Sequence, residues 1–288
     1  MTDDTRVLDA TPDPAKLLLK GLGGSVRKRG SRTPDRLPGR TILLPSHSQD
    51  LDRLAAYCRL TGYSLRNHVP ATWLHVQTFG LQALLLAEDD FPFPLAGLVH
   101  VANTMTLHRP VLAVEQLRLK VRAEALRPHA RGVVFDLVEE VQVGDELVWQ
   151  GRSNYLAKGA TLPGQPASPD RLEAPQQPPS QQWRLPADLG RRYAAVSGDA
   201  NPIHLHPATA RLFGFKRPIA HGMWTHARAV AALGTGVPAA HTLRVQFTRP
   251  ILLPGRVGFA STSQDAGQRF AVVNDDGKPY LVGTLQPA

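Results

Sequence analysis

From Ser197 to His204 the chain runs Ser-Gly-Asp-Ala-Asn-Pro-Ile-His, which sets a carboxylate (Asp199), an amide (Asn201) and an imidazole (His204) close together. Five residues apart on a regular helix, Asp199 and His204 would diverge, so they meet only if the chain turns between them. Residues suited to that turn are present. Gly198 permits a positive φ, and Pro202 fixes its own φ while pushing Asn201 out of the helical region. A carboxylate and an imidazole sharing one water form a unit that can add or remove water by proton transfer. A second element follows at Ala220-His221-Gly222-Met223, where a helix-compatible stretch from His221 to Leu233 begins. First-turn N–H groups lack partners within the helix and sit at the positive end of its dipole. A glycine there lets a carbonyl oxygen approach, as stabilisation of a thioester enolate requires.

Plainer roles compete with this one. Taken alone, Asp199 suits an Asx-turn. Ser197 lacks the Gly-x-Ser-x-Gly elbow of a nucleophile, being preceded by Ala195 and Val196. His204, His206, His221 and His226 supply imidazoles for a metal. No cysteine or second carboxylate joins them, and Asn201, Pro202 and Gly222 would then have no purpose, so neither metal nor cofactor is expected. His206, before Pro207, suits a helix N-terminus. Lys216 and Arg217, before Pro218, are either solvated or meet the phosphates of a substrate carrier.

The elements that must hold these residues come from the rest of the chain. At 288 residues, with 42% hydrophobic and 20% charged residues, it has material for one large or two ordinary globular domains. The acidic start and the lack of a long apolar run predict a soluble, cytoplasmic protein with no membrane span. The single cysteine, Cys58, excludes an internal disulfide and suits a small buried side chain. A net charge of +9 favours anionic partners. Zinc-finger spacing, a Gly-rich phosphate loop and RNA-binding aromatic motifs are missing, so nucleic acid is not expected.

Residues 1–40 are basic and glycine-rich and read as a mobile arm. Helical spacing covers Asp50 to Arg59, and Ala71 to Ala87 is apolar nearly all round, as a buried helix would be. Alternation then predicts antiparallel strands at Glu115–Ala125, Gly132–Val143 and Glu146–Ala157, the last two joined at Gly144-Asp145. The proline-rich stretch 159–186 reads as an extended linker between units at 41–158 and 187–288. Further strands are expected at Leu243–Thr248, Arg256–Thr262, Arg269–Val273 and Tyr280–Leu285. The two units share a weak repeat: Leu107-His108-Arg109-Pro110-Val111-Leu112 matches Phe247-Thr248-Arg249-Pro250-Ile251-Leu252, and Tyr57–Gly62 matches Tyr193–Gly198. The fold class expected is α+β, a long helix against an antiparallel sheet, made twice as two sheets side by side.

Tyr-x-x-x-Ser-Gly-Asp-x-Asn-Pro-Ile-His, with Ala-His-Gly-Met downstream, resembles the signature of the MaoC-like, (R)-specific enoyl-CoA hydratases, and in particular the 3-hydroxyacyl-thioester dehydratases of that type. The resemblance implies a double hot-dog fold over residues 40–288, in which a degenerate first half accompanies a catalytic second half. It implies a hydro-lyase of fatty-acid metabolism that hydrates trans-2-enoyl thioesters or dehydrates (R)-3-hydroxyacyl thioesters, carried by CoA or by acyl carrier protein. Asp199 and His204 match the family's catalytic pair, Asn201 the amide that holds the turn, and Gly222 the donor to the thioester oxygen. His221, Met223, Lys216 and Arg217 fall to substrate binding, and the 71–87 helix to housing the acyl chain. In the first half Tyr63 stands where the acid belongs and His68 keeps the spacing of His204, so one active site per chain is expected. A thioesterase on the same fold and a non-catalytic acyl-thioester binding module are the alternatives. Monomer and homodimer both fit, because a double unit already contains one pairing of halves.

Overall fold

The structure is a computed structural model that describes residues 4–18, 36–95, 97–168, 170–264 and 267–288. Eleven strands form one sheet: β1 Asp4–Val7, β2 Arg40–His47, β3 Leu98–Leu107, β4 Leu117–His129, β5 Gly132–Val143, β6 Glu146–Lys158, β7 Gln181–Leu185, β8 His241–Phe247, β9 Gly255–Gln264, β10 Gly267–Val273 and β11 Pro279–Pro287. Their order is β1-β2-β4-β5-β6-β3-β8-β11-β10-β9-β7, parallel only at β1–β2. Two helices sit at the centres of the halves, α2 (Ala71–Ala87) and α5 (Gly222–Leu233); α1 (Leu51–Thr61), α3 (Leu189–Ser197) and α4 (Pro207–Leu212) accompany them.

The expected pair of sheets is thus a single one. The seam is β3 against β8, from Ala102↔Gln246 to Leu107↔His241. Strand β3 escapes sequence patterning because its alternation is confined to its last residues, while hydrogen-bonded neighbours on both sides, β6 and β8, hold the rest. One core runs through both halves, from Leu74 and Trp73 on α2 to Ala227 and Val230 on α5. Cys58 lies in it as expected, and burial pushes its thiol up to about 11.

The weak repeat is a structural one. Both α1 and α3 end on a left-handed glycine, Gly62 at φ 85° and Gly198 at φ 80°. Thr61 Oγ1 donates to the Tyr57 carbonyl at 2.7 Å, and Ser197 Oγ to the Tyr193 carbonyl at 2.8 Å. Val69 N–H bonds the Val111 carbonyl and Ala220 N–H the Ile251 carbonyl, each at 2.9 Å. Isolated bridges His68↔Leu112 and Ile219↔Leu252 complete the match. These bridges correct one expectation: His68 is the counterpart of Ile219, not of His204. The second half carries a longer connection between its turn and its central helix, holding α4, so counting from the glycine misleads.

The ends of the expected domains also shift. Of the basic arm 1–40, residues 4–7 form β1, with Arg6 and Arg40 both on Glu88, and Pro14 lies over Gly198. Residues 19–35 lie outside the described residues. Strand β1 forms at residues 4–7 because paired backbone and ion pairs outweigh a polar composition. The linker 159–186 lies against the second half, with Asp170 on Arg244 and Glu173 on Arg269, and its final residues 181–185 are β7, paired with β9. Among the described residues no helix is long and apolar enough to cross a membrane.

Candidate active site

The Ser197–His204 turn begins where α3 stops. Gly198 ends the helix, its N–H on the Ala194 carbonyl at 2.8 Å, and the Asp199 N–H then reaches Ser197 Oγ at 3.1 Å. Asp199 Oδ1 accepts the Asn201 N–H at 3.2 Å, and Asn201 Oδ1 accepts that of Ile203 at 3.4 Å. Asn201 therefore holds the turn, as its place in the motif implies, and caps the 3-10 turn Pro202–His204. The reversal brings His204 back against α3, where an ideal Cβ on Gly190 would lie 1.9 Å from the His204 carbonyl oxygen. Sequence reasoning passed over Gly190, since a glycine in a helix gives no sign that another backbone lies on it.

His204 Nδ1 lies 2.7 Å from the Ile219 carbonyl oxygen. A carbonyl only accepts, so Nδ1 carries the proton and Nε2 presents a lone pair. Burial, followed by the neighbouring His221, pulls the His204 imidazole down to about 3, so it is neutral near pH 7. Asp199 keeps 27% of its side chain exposed, yet burial raises its pKa against the opposing pull of His204. Nitrogen and oxygen atoms of Asp199, His204 and His221 all lie within 4.8 Å of one another. One water can bond two groups up to about 5.5 Å apart, so the pair can share a water.

His221 has a different place from the one expected. It is 2% exposed, its ring stacks on His204 at 3.7 Å, and its Nε2 lies 2.9 Å from the Asp199 carbonyl oxygen, to which it donates. These contacts fix the turn and leave the ring no exposed face for substrate. Gly222 opens α5, which has no side-chain cap, and an ideal Cβ there would press on the Phe247 ring at 3.0 Å. Met223 is buried in the shared core. Lys216 and Arg217 stay on the exposed loop before Ile219, Arg217 donating to the Pro254 carbonyl at 3.2 Å. His206 caps α4 by accepting the Ala208 N–H, and His226 is buried inside α5, so the four imidazoles do not form one cluster. Asp199, His204 and His221 do form a group of metal-ligand type. Two of its nitrogens are engaged by backbone carbonyls.

These burials make stability depend on pH. His204, His221 and His226 are held at about 3, 4 and 3, chiefly by burial, against about 6.5 in an unfolded chain. Between those values the unfolded chain binds more protons, so their contribution is complete above pH 6.5 and is lost as pH falls. Asp199, raised from 3.8, acts in the opposite sense. Net proton uptake on unfolding is therefore expected as pH falls below 6.5, each of the three imidazoles contributing up to about 1.4 kcal/mol per pH unit. Calorimetry in buffers of different ionisation enthalpy measures this directly, and a melting temperature flat from pH 7 to 5 would contradict it.

Comparison with known proteins identifies the family and the fold. The MaoC-like domain matches residues 171–278. The 3-hydroxyacyl-thioester dehydratase X of Mycobacterium tuberculosis is 37% identical, over 96% of this chain and 98% of that protein. The crystal structure of HtdX of Mycobacterium tuberculosis superposes with a TM-score of 0.77 at 35% identity, covering 86% of this chain and 100% of that one. A double hot-dog protein of the same organism shares the fold alone, with a TM-score of 0.52 at 14% identity over 84% and 93% of the two chains. With one relative matched over 96% of this chain and a domain of that type matched in its second half, the chain belongs to the MaoC-like dehydratase family.

Proposed function

We propose that this protein is a hydro-lyase that adds water to trans-2-enoyl thioesters and removes it from (R)-3-hydroxyacyl thioesters in fatty-acid metabolism. The observation that carries the reading is the pinned imidazole: His204 Nδ1 is held on the Ile219 carbonyl, which leaves Nε2 with a free lone pair, and His204 and Asp199 lie close enough to share a water. In hydration, the Asp199–His204 pair orients a water for attack on C3 and takes its proton. One proton returns to C2, and the electron pair meanwhile rests on the thioester oxygen, facing the first-turn N–H groups at Gly222. The two side chains ionise as one unit, so the unit and not either residue carries the proton count. The carrier is a thioester of CoA or of acyl carrier protein. Lys216 and Arg217, exposed beside the turn, are the cations offered to its phosphates.

The test is a paired assay on crotonyl-CoA, following loss of enone absorbance beside release of free thiol. Hydration without thiol release is expected. Thiol release without hydration would establish a thioesterase, and neither would leave a binding module.

A further inference from the structure

The 71–87 helix was expected to house the acyl chain, yet the interior it shares with α5 also carries buried polar side chains. Gly222 and His226 are four residues apart on α5 and share a face, so His226 lies one helical turn from the first-turn N–H groups. Its imidazole is fully buried, and neither ring nitrogen has a hydrogen-bond partner among the described residues. Its counterpart in the repeat, one turn into α2, is His75, with Nδ1 on Glu139 Oε2 at 3.0 Å. Glu139 also accepts from Ser153 Oγ at 2.7 Å, and Ser153 Oγ accepts from Asn103 Nδ2 at 3.1 Å. The chain of bonds then stops: Asn103 Oδ1 is buried without a partner, as is Nε2 of His100 on the same strand.

This layer adjoins the active site. The His100 ring lies 5.0 Å from Phe247, the ring that a side chain at Gly222 would strike, and 4.7 Å from Tyr155. Buried polar atoms are almost always paired, so orphans one helical turn from a substrate site are candidates for pairing by the substrate itself. A neutral imidazole offers one donor and one acceptor, and the Asn103 carbonyl oxygen offers an acceptor. A hydroxyl can engage both kinds at once. An alkyl chain can engage neither.

We propose that His226, Asn103 and His100 form an acyl subsite that selects chains bearing a hydroxyl or oxo group near C5. The position follows from length: one helical turn of about 5.4 Å equals about four bonds of extended chain beyond the carbonyl carbon. The inference rests on the hydro-lyase reading and goes beyond it in naming the acyl class.

The experiment compares kcat/KM of the full chain for trans-2-octenoyl-CoA and for its 5-hydroxy derivative. The hydroxylated substrate is expected to be favoured by at least about tenfold, since sites built to bond a hydroxyl reject the analogue without one. His226→Phe and, independently, Asn103→Leu are each expected to collapse that ratio to near one, with folding checked by circular dichroism. The ratio is the readout because a purely structural defect lowers both substrates together. Equal or better turnover of octenoyl-CoA by the wild-type protein overturns the subsite and leaves the hydro-lyase reading intact. Hydration of neither substrate overturns both.

Discussion

Replacing Asp199 with asparagine is expected to lower kcat/KM for enoyl-thioester hydration by about 10³ or more while leaving the fold in place. Asparagine keeps an oxygen to accept the Asn201 N–H, which Asp199 Oδ1 now accepts at 3.2 Å, so the turn persists. It also removes a carboxylate whose charged form burial disfavours, so thermal stability is expected to hold or rise slightly. His204→Ala is expected to match the loss of activity but to cost stability as well, about 2 kcal/mol, because it empties a buried site and deletes the bond to Ile219. Residues that act as a unit are not additive, so the double variant should be little slower than either single one. Progress curves at the enone band, with melting temperatures alongside, measure all three. Near wild-type rates in either single variant, or losses that multiply in the double, would remove the shared-water mechanism.

The second large effect is expected from a position without functional chemistry. Alanine normally improves on glycine inside a helix by about 1 kcal/mol. At Gly190 the new Cβ would lie 1.9 Å from the His204 carbonyl oxygen and 2.9 Å from its carbon, both backbone atoms. Overpacking of that kind costs about 1–3 kcal/mol, so the collision outweighs the propensity. Because the displaced backbone is that of His204, Gly190→Ala should lower kcat by at least about tenfold as well as the melting temperature, a misplacement acting through geometry. Gly144→Ala in the β5–β6 hairpin is the control: its φ of 57° strains alanine, but nothing lies within 4 Å. It should cost some stability and no activity. Unaltered turnover in Gly190→Ala would show that the His204 segment is not seated against α3.

What could be read from the residues divides along physical lines. The Ser197–His204 turn was legible because its devices are local: a left-handed glycine, a φ-fixing proline and an Asx-type amide act on their own neighbours. Strand β4 was legible because it carries its own alternation, and α2 and α5 because of their apolar content. The buried role of His221 was hidden, since stacking on His204 depends on a contact across the turn. β3 was hidden for the same reason, its place being set by β6 and β8. His68 shows the opposite failure, a correct spacing with the wrong partner, because the two halves differ in the length of their connections. The polar layer around Glu139 and His226 could not be foreseen, because its members lie on α2, α5, β3, β5 and β6 and meet only in the fold.

The β3–β8 seam also bears on how the site responds to dilution. Two like units joined edge to edge form an assembly that separate chains would have to reach by collision, and would lose as concentration falls. Here both edges belong to one chain, so the encounter is intramolecular and runs at an effective concentration of the order of mM. The groups that cross between the halves gain from this: Arg53 donates to the Val196 carbonyl at 2.7 Å, just before the Ser197–His204 turn, and Trp224 to the Leu60 carbonyl at 3.1 Å. The second half cut free would carry β8 as a bare edge, a template for pairing with other chains. Joined to the first half, the second keeps that edge covered at any dilution, and this gives the first half a purpose that does not depend on chemistry of its own.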